Sequence, residues 1–509
     1  VKSGRISRGH RFLCKEDVTI ESPENYKETM RKAFVIVDQD ERRDMIRKGL
    51  LAKAEELGGN VWHNADLLEE INYLVEYPTP LYGRIDEEFL KLPVPAVVTP
   101  MRDHQRYYPV RNEDGSLMPY FLTVRNGGTK AIHNVQIGNE RVLRARLDDA
   151  KFFFENDRKK SLEGHREDLT RINYQEGMGT MLDKADRLQK LSDFICDGWN
   201  LSADEKADAE RAAYLSKSDL ATGMVTEFTE LQGEMGKEYA LLDGEKKNVA
   251  QAIFEQYMPR FAGDILPQES IGRVLSMADK LDNLAATFLR GLIPTGSQDP
   301  FALRRQTIGA VNILTDGGIH WDIREGIRKA LELLPGEKEA KETALGQIEE
   351  FFRQRIKAIM LDEGIAYDII DAVLAGPVDD IEALFLKARA MAESQLKDET
   401  DLRQAVTRLA NITKDKEGGA VDPSLFEVEY EKNLQAALDE VKAEVLPLYK
   451  EYQYGKALAS LKKLTAPIND YLDNVMVMVD DEKVKANRVS QLISALDLFR
   501  AWGDFSKLV

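Results

Sequence analysis

The segment GLIPTGSQDPFALRRQTIG, residues 291–309, decides how the helical middle of this chain is interpreted. Its first half contains three residues that interrupt regular structure, Pro294, Gly296 and Pro300. Its second half resumes an apolar spacing that is typical of a helix. We therefore expect a loop followed by a helix, with Asp299 as the N-cap and Pro300 as the first helical residue.

The length and composition of the chain indicate a globular protein with several domains. Its 509 residues exceed what a single hydrophobic core organises, so roughly two to four domains are expected. No stretch approaches the ~18 apolar residues of a transmembrane helix, and the first residues lack the apolar segment of a secretory signal. Cys14 and Cys196 cannot form a disulfide framework or a zinc quartet, which favours the reducing cytoplasm.

The net charge of −18 is unfavourable for a protein that binds nucleic acid. Binding depends, however, on where the positive groups cluster rather than on their total. Residues 101–160 contain twelve Lys or Arg against eight Asp or Glu, a local charge of +4 in a chain that is otherwise strongly acidic. The charge pattern therefore does not exclude a nucleic-acid partner.

Residues 1 to about 138 have the pattern of a mixed α and β domain. Residues 31–58 have helical spacing and end at a pair of glycines. Residues 96–99 form a short β-branched run between two prolines. Residues 107–110 and 120–124 flank a turn that contains Asp114 and Gly115, which predicts a β-hairpin.

From about residue 138 onward the pattern is almost wholly helical. Residues 337–364 are typical of a charged amphipathic helix, and residues 377–380 have the proline and acidic residues of a helix start. The chain closes on an apolar helical stripe, formed by Val489, Leu492, Ile493, Leu496 and Phe499. The predicted fold class is thus mainly α and multidomain, with an α+β body at the N-terminus.

Six further segments match the sequence pattern of one known family, in that family's order. They are RGHRFL (8–13), TPMRDHQRYYPV (99–110), GNERVLRARLDDAKFFFENDRKK (138–160), EFTELQGEMGKEYA (227–240), YMPRFAGDILP (257–267) and VMVMVDDEKVKANRVSQL (475–492). With residues 291–309, they closely resemble the bacterial glycyl-tRNA synthetase beta subunit over nearly the whole chain. Members of that family usually continue further at the N-terminus, so the resemblance implies that an N-terminal part is absent here.

The resemblance implies four domains. Residues 1–165 would form an α+β body similar to parts of the phenylalanyl-tRNA synthetase beta subunit. Residues 166–325 would form a helical domain related to HD phosphohydrolases but without metal ligands, and residues 326–394 a helical linker. Residues 395–509 would form a helical anticodon-binding domain similar to that of arginyl-tRNA synthetase.

The resemblance also implies a division of labour between two subunits. The alpha subunit of the family carries the class II active site, which binds glycine and ATP with magnesium, while the beta subunit recognises the tRNA in an alpha2/beta2 tetramer. This chain is therefore expected to lack a catalytic centre and a cofactor of its own, and to bind neither DNA nor a membrane. The sequence agrees with the expected lack of a catalytic centre. The segment most similar to a phosphate-binding loop, GEMGKE at residues 233–238, has the wrong spacing for such a loop.

The first alternative function is an independent metal-dependent phosphohydrolase, and the sequence argues against it. Such an enzyme needs histidines and carboxylates that converge on a divalent ion. No histidine lies between residues 166 and 319, although Asp219 and Asp279 remain. Asp279 and Lys280 are then expected to be structural or to contact RNA. The second alternative is a scaffold for the alpha subunit that binds no RNA, which the acidic net charge slightly favours.

Each candidate contact has a structural interpretation beside the functional one. Arg102, His104 and Arg106 would lie on a strand that contacts phosphates and bases, or on a strand whose charged face is merely exposed and whose aromatic face is buried. Arg141, Arg144 and Lys151 would contact tRNA or form a solvated helix face. Arg304 and Arg305 would contact the acceptor stem or form ion pairs with carboxylates such as Asp279 or Asp282.

The segment DLRQAVTRLANITKDK, residues 401–416, resembles the first helix of the family's anticodon domain. Arginine, asparagine and lysine on neighbouring turns can contact bases and phosphates, and unpaired bases are the natural target. In this segment the candidates are Arg403, Arg408, Asn411, Lys414 and Lys416, while Lys483, Lys485 and Arg488 in residues 475–492 are similar but weaker candidates. The proposed tRNA-binding residues are Arg102, His104, Arg106, Arg141, Arg144, Lys280, Arg304, Arg305, Arg403, Arg408, Asn411, Lys414, Lys485 and Arg488.

Overall fold

The computed structural model describes residues 4–296, 298–394 and 400–508. In these ranges the fold is mainly α-helical, as predicted, and the strands lie near the N-terminus. The strands are β1 Ile6–Arg8, β2 Asp17–Thr19, β3 Asn60–Val61, β4 Pro78–Arg84, β5 Tyr108–Arg111 and β6 Leu117–Asn126. The first helices are α1 Tyr26–Lys32, α2 Gln39–Glu56, α3 Ala65–Leu74, α4 Val94–Thr99, α5 Ile132–Asp157, α6 Leu162–Arg166, α7 Met181–Gly198, α8 Ala203–Leu215, α9 Gly223–Glu227, α10 Glu234–Leu242 and α11 Lys247–Glu255. The later helices are α12 Ser270–Leu289, α13 Leu303–Gly317, α14 Ile323–Glu332, α15 Lys338–Asp362, α16 Tyr367–Val373, α17 Ile381–Glu393, α18 Thr400–Thr413, α19 Glu429–Lys450, α20 Tyr454–Leu461, α21 Thr465–Asn474 and α22 Glu482–Arg500.

The chain forms two compact units, each built from separate stretches of sequence. Unit 1 consists of Val1–Ile172 and Leu215–Phe254, and unit 2 consists of Asn173–Tyr214 and Glu255–Val509. The finer division into four domains stays a prediction.

A four-stranded antiparallel sheet organises unit 1, with the strand order β3-β5-β6-β4. The predicted hairpin is confirmed: β5 and β6 pair with Tyr108 opposite Leu122, and Gly115 adopts a positive φ in the turn. Helices α2 and α3 cover one face, where Ile46 and Leu50 pack in a common core with Tyr108 and Leu122. The four-residue spacing of Ile46 and Leu50 places them on one side of α2, which explains why this helix lies on the sheet.

The β-branched run at residues 96–99 belongs to helix α4, which continues into a π-helical turn, Pro100–His104, before β5 begins. Pro95 is tolerated because it lies in the first helical turn, where its missing N–H has no intrahelical partner to lose. The run is buried on all sides, so its sequence carries no period that would separate helix from strand.

Helix α12 forms the centre of unit 2 and contacts α7, α13, α14 and α15. It is buried around nearly its whole circumference, which is typical of a helix at the middle of a helical domain. Three of its buried residues are nevertheless charged, Asp279, Lys280 and Asp282. They require partners inside the protein, because an unpaired buried charge is strongly unfavourable.

The C-terminal helices of unit 2 pack as the apolar pattern predicted. The stripe on α22 is buried and α22 packs on α18 and α19, while α19 also packs on α20 and α21. Asp380 caps α17, because its side chain accepts a hydrogen bond from the Ala383 backbone N–H at 2.9 Å. Across the described parts of the chain, none of the helices combines the length and apolarity needed to cross a bilayer.

Candidate nucleic-acid interface

The first group of predicted contacts, residues 102–106, lies on a turn rather than on a strand. Arg102 belongs to the π-helical turn and donates to the carboxylate of the adjacent Asp103 at 2.7 Å. Arg106 has a positive φ of 57° and donates to Glu70 at 2.8 Å. These cations are exposed enough to exchange their carboxylate partners for phosphate, because surface ion pairs contribute little.

The aromatic residues beside this turn are not available for base stacking. Tyr107 and Tyr108 are both buried, and Tyr107 stacks on Phe121 with ring centroids 4.5 Å apart. Burial raises the pKa of Tyr107 to about 12. His104 lies largely covered beside Phe228, with its Nε2 3.5 Å from Glu230. The aromatic side chains are therefore buried, as the structural interpretation expected. The segment at residues 102–106 was predicted to be a strand, but it forms a turn.

Helix α5 presents the second group. Arg144 is paired with Asp86 at 2.7 Å and Lys151 with Glu88 at 2.5 Å, both at the surface. Arg141 is exposed on the same helix and makes no ion pair with any described residue. Of this group, Arg141 is thus the side chain most available to a partner.

Residues 291–309 form the predicted loop and helix, with a shifted boundary. Helix α13 begins at Leu303, and the N-cap position is Ala302 with a positive φ of 53°. Asp299 still supplies the cap, because its carboxylate accepts from the backbone N–H groups of Leu303 at 2.8 Å and Arg304 at 3.0 Å. Pro300 is therefore not the first helical residue, although the capping chemistry was correctly predicted.

Three arginines gather near this helix start, and we call Arg304, Arg305 and Arg355 the signature surface. Arg304 donates to the carbonyl oxygen of Gly296 at 2.6 Å, and Arg305 is exposed. Burial, and after it the positive charge of Arg304, lowers the pKa of Arg355. Arg304 and Arg355 are therefore neighbouring cations, and Asp299 is the acidic residue that acts on Arg355.

The carboxylates that were alternative partners of Arg304 and Arg305 are engaged elsewhere. The buried ammonium of Lys184 lies 3.0 Å from Asp279 and 2.9 Å from Asp282, and Arg187 donates to Asp282 at 2.6 Å. Burial alone would lower the pKa of Lys184, but the two carboxylates outweigh it and hold that pKa above its ordinary value. Lys184 and Arg187 thus supply the positive charge that these two buried carboxylates require at the centre of unit 2.

Lys280 is also buried, and its ammonium donates to the Met258 carbonyl oxygen at 2.5 Å and to the Ser276 hydroxyl at 2.6 Å. This position gives it no surface from which to reach RNA, so we do not retain it as a contact. Among the described residues, no group of three or more His, Cys, Asp or Glu side chains is arranged to hold a metal ion.

We call five exposed side chains the α18-end surface. Three belong to the end of α18 and the residues just after it, and two belong to residues 475–479, where Met478 contacts Lys416: Asn411, Lys414, Lys416, Met476 and Met478. Asn411 and Lys414 are exposed on the last turn and just beyond it. The Lys416 ammonium donates to the Ile412 carbonyl at 2.6 Å and lies 3.5 Å from the Met478 sulfur. Lysines at a helix C-terminus are favoured by the helix dipole, which helps to hold this charge in place.

The sequence interpretation missed the two methionines of the α18-end surface. Met476 is 74% exposed and Met478 is 46% exposed, whereas Val475 and Val477, which alternate with them, are buried. The signal was present as the strict alternation in VMVMV, which predicts one buried and one exposed face for an extended segment. An exposed thioether beside an ammonium group, as at Met478 and Lys416, can pack against the face of an unpaired base.

The remaining predicted contacts in this region tie helices together. Arg408 bridges α18 to Asp473 on α21 at 2.6 Å, and Lys485 pairs with Glu482 within α22 at 3.1 Å. Arg488 is buried and holds α22 to Glu431 at 2.8 Å, so it cannot contact RNA in this conformation. Arg403 is half-buried on α18. Asn411 and Lys414 are therefore the most accessible of the residues predicted here.

The comparisons with known proteins agree with this architecture. Residues 402–500 match the DALR anticodon binding domain. An α+β body joined to such a helical domain places the chain in the class of aminoacyl-tRNA synthetases. Residues 1–375 match the model of the glycyl-tRNA synthetase beta subunit.

Three curated relatives are similar over almost the whole chain, and each is a glycine–tRNA ligase beta subunit. The protein of Clostridioides difficile (strain 630) is 45% identical over 508 residues, which cover 100% of this chain and 74% of the relative. That of Halothermothrix orenii is 43% identical over 497 residues, covering 97% and 72%. That of Bacillus subtilis (strain 168) is 41% identical over 510 residues, covering 100% and 74%. The chain therefore belongs to the glycyl-tRNA synthetase beta subunit family, as the sequence resemblance predicted.

Proposed function

We propose that this chain binds glycine tRNA, by its acceptor arm and its anticodon, and positions it for ATP-dependent glycylation by an alpha subunit. In this proposal the alpha subunit binds glycine, ATP and magnesium, and two copies of each subunit form the active tetramer. The beta chain then contributes to rate without a catalytic side chain, because it holds the reacting end of the tRNA in place.

The α18-end surface is the observation that carries the proposal. It lies within the segment that matches an anticodon-binding domain, and it combines the three kinds of contact that unpaired RNA requires. Asn411 offers an amide for a base edge, Lys414 and Lys416 offer charge for phosphates, and Met476 offers an apolar surface for a base face. Anticodon bases lie in a single-stranded loop and are unpaired, so they are accessible to such groups.

The acceptor arm is assigned to exposed cations elsewhere in the chain. In unit 2 these are Arg304 and Arg305 of the signature surface, and in unit 1 they are Arg141 and the turn at residues 102–106. A duplex stem is recognised mainly through its phosphates and its shape, which suits arginine side chains at the surface.

The test is equilibrium binding of the purified chain to glycine tRNA and to the same tRNA with its anticodon replaced, each over a range of salt concentrations. We expect the native tRNA to bind more tightly by at least about 1 kcal/mol, the scale of one base contact. Asn411→Ala should reduce this preference. Lys442→Ala, which removes an exposed lysine on α19, is the matched control and should leave the preference unchanged.

Equal affinity for the two tRNAs would refute anticodon reading and leave recognition by shape. No binding at low salt would favour the scaffold alternative, in which the chain supports the alpha subunit without contacting RNA.

A further inference from the structure

The turn at residues 9–14, between β1 and β2, exposes a phenylalanine that no packing in unit 1 requires. Phe12 is 76% exposed, and Arg8 and Arg11 beside it are exposed as well. A single exposed aromatic residue is common on protein surfaces, so what distinguishes Phe12 is the way in which it is held and the charge around it.

This turn is fixed rather than loosely attached. His10 is buried, its backbone N–H donates to the Ala33 carbonyl at 2.9 Å, and its own carbonyl accepts from the Cys14 N–H at 2.9 Å. The Phe12 backbone N–H donates to the His10 Nδ1 at 3.3 Å, which leaves Nε2 to donate to the Asn126 side-chain oxygen at 3.2 Å. Both ring nitrogens of His10 are therefore used to orient the residue that carries the exposed ring.

Gly9 makes the close approach of this turn possible. A Cβ atom at this position would lie 2.6 Å from the Ala33 carbonyl oxygen and 2.7 Å from the Ala33 Cβ. Any other residue would push the turn away from α1 and its following loop. The sequence thus specifies both the anchor and the exposed ring.

The surroundings of Phe12 are basic. Residues 4–15 contain Arg5, Arg8, Arg11 and Lys15 and no acidic residue. The Arg11 guanidinium lies 5.7 Å from the centre of the Phe12 ring. Arg8 has a weak surface pair with Asp17, 3.9 Å away, and both side chains are mostly exposed.

A second basic segment lies against the turn. The backbone of residues 127 and 128 approaches the side chains of His10 and Leu13, so residues 125–130 border the turn. This segment adds Arg125 and Lys130 and contains no acidic residue. An exposed aromatic ring with cations in the neighbouring segments is the combination with which proteins hold single-stranded nucleic acid, because the ring stacks on a base while the cations contact the flanking phosphates.

We propose that this turn binds the unpaired 3′ segment of the tRNA, with a base stacked on Phe12 and phosphates contacted by Arg8 and Arg11. The proposal deepens the proposed function and rests on it, since it requires that the chain bind tRNA. A base can stack on Phe12 only where it is unpaired. Of the unpaired parts of a tRNA, the anticodon is assigned to the α18-end surface in unit 2, whereas the acceptor arm is assigned in part to unit 1, which carries Phe12. The 3′ segment is the single-stranded part of the acceptor arm.

The experiment measures binding of the chain to glycine tRNA and to the same tRNA without its unpaired 3′ nucleotides. For the full-length tRNA, Phe12→Ala should weaken binding roughly tenfold, the scale of one base–aromatic stack. Phe12→Trp should preserve the affinity, because it retains a stacking surface. The shortened tRNA should bind the wild type and Phe12→Ala equally, and Arg11→Ala should lower the salt dependence by about one phosphate contact.

Tyr73→Ala is the matched control, because Tyr73 is a 61% exposed aromatic residue of the same unit. It should leave the affinity for both tRNAs unchanged. Since Phe12 is exposed, its replacement should also leave the thermal unfolding midpoint unchanged, so that lost binding cannot be attributed to lost folding.

The other outcomes separate this proposal from the proposed function. If full-length tRNA binds the wild type and Phe12→Ala with the same affinity, the 3′-segment proposal is overturned while tRNA binding stands. If tRNA affinity is unchanged and association with the alpha subunit is lost, the turn is a protein contact and the RNA proposal is overturned. If the wild-type chain binds neither tRNA, the proposed function fails and this proposal fails with it.

Discussion

Lys184, the buried cation at the centre of unit 2, allows the sharpest test of how this fold is stabilised. Lys184 is 2% exposed and Asp282 is 1% exposed, and the ammonium lies about equally close to Asp282 and Asp279. Lys184→Met preserves most of the side-chain length and removes the charge. Removing one partner of a buried ion pair typically costs about 3–5 kcal/mol. Because Arg187 still neutralises Asp282, we expect the loss to lie near the lower end of that range.

Urea unfolding followed by tryptophan fluorescence measures this effect. Trp199 and Trp321, whose ring centroids are 6.0 Å apart, lie at the end of the helix that carries Lys184 and report on unit 2. The double variant Lys184→Met/Asp279→Asn restores a balanced cluster, so it should be more stable than Lys184→Met alone. Lys151→Met, which removes the exposed pair with Glu88, is the control and should shift the midpoint little.

The acid side of the stability profile gives an independent check. Burial alone would raise the pKa of Asp282, but Lys184 and Arg187 outweigh it and hold that pKa below its ordinary value. Its contribution is therefore complete above the unfolded pKa of about 4 and is lost as the pH falls through the lower folded value. In Lys184→Met this loss should begin at a higher pH. If Lys184→Met unfolds at the wild-type urea concentration, or if adding Asp279→Asn destabilises it further, the account of a neutralised internal cluster is refuted.

Three further predictions concern single side chains. Asp299→Ala should destabilise the start of α13 by about 1 kcal/mol, because two backbone N–H groups lose their acceptor, and hydrogen exchange at Leu303 and Arg304 should accelerate while Asp299→Asn largely retains protection. Arg488→Met should lower the stability of the C-terminal helices by about 3 kcal/mol, since it leaves Glu431 buried and unpaired; a thermal unfolding midpoint equal to that of the wild type would contradict this. Burial raises the pKa of the Cys196 thiol to about 12, so a thiol reagent at pH 8 should modify Cys14 in the native chain and reach Cys196 only on unfolding; rapid modification of both thiols would contradict the buried position.

Local sequence patterns predicted the elements whose sequence signals lie close together along the chain. The hairpin between β5 and β6 follows from Asp114 and Gly115, and the buried face of α22 follows from apolar spacing alone. The cap at Asp299 was identified from residue type, but its helix starts at Leu303 because Ala302 adopts a left-handed conformation that no local rule requires of alanine.

The roles of the cations depended on contacts that are distant in sequence. Arg488 is neutralised by Glu431, 57 residues away, and the Lys280 ammonium donates a hydrogen bond to a backbone carbonyl 22 residues away. Nothing near either residue distinguishes it from an exposed cation such as Lys414. A helical arginine or lysine is therefore a weak predictor of an RNA contact until the fold shows whether its partner lies inside the protein.

This distinction changes what the net charge of −18 means for a tRNA-binding protein. Lys184, Arg187, Lys280 and Arg488 contribute to the formal count but are buried, and among the described residues a larger number of carboxylates is buried as well, so the surface stays strongly acidic. An acidic surface opposes non-specific attraction of RNA, because that attraction depends on exposed phosphate contacts. Binding must then arise where exposed cations are concentrated and accompanied by groups that recognise bases, as at the α18-end surface and the turn around Phe12. On this argument the acidic charge favours selective over general RNA binding, and it is not evidence for a chain that only supports its partner.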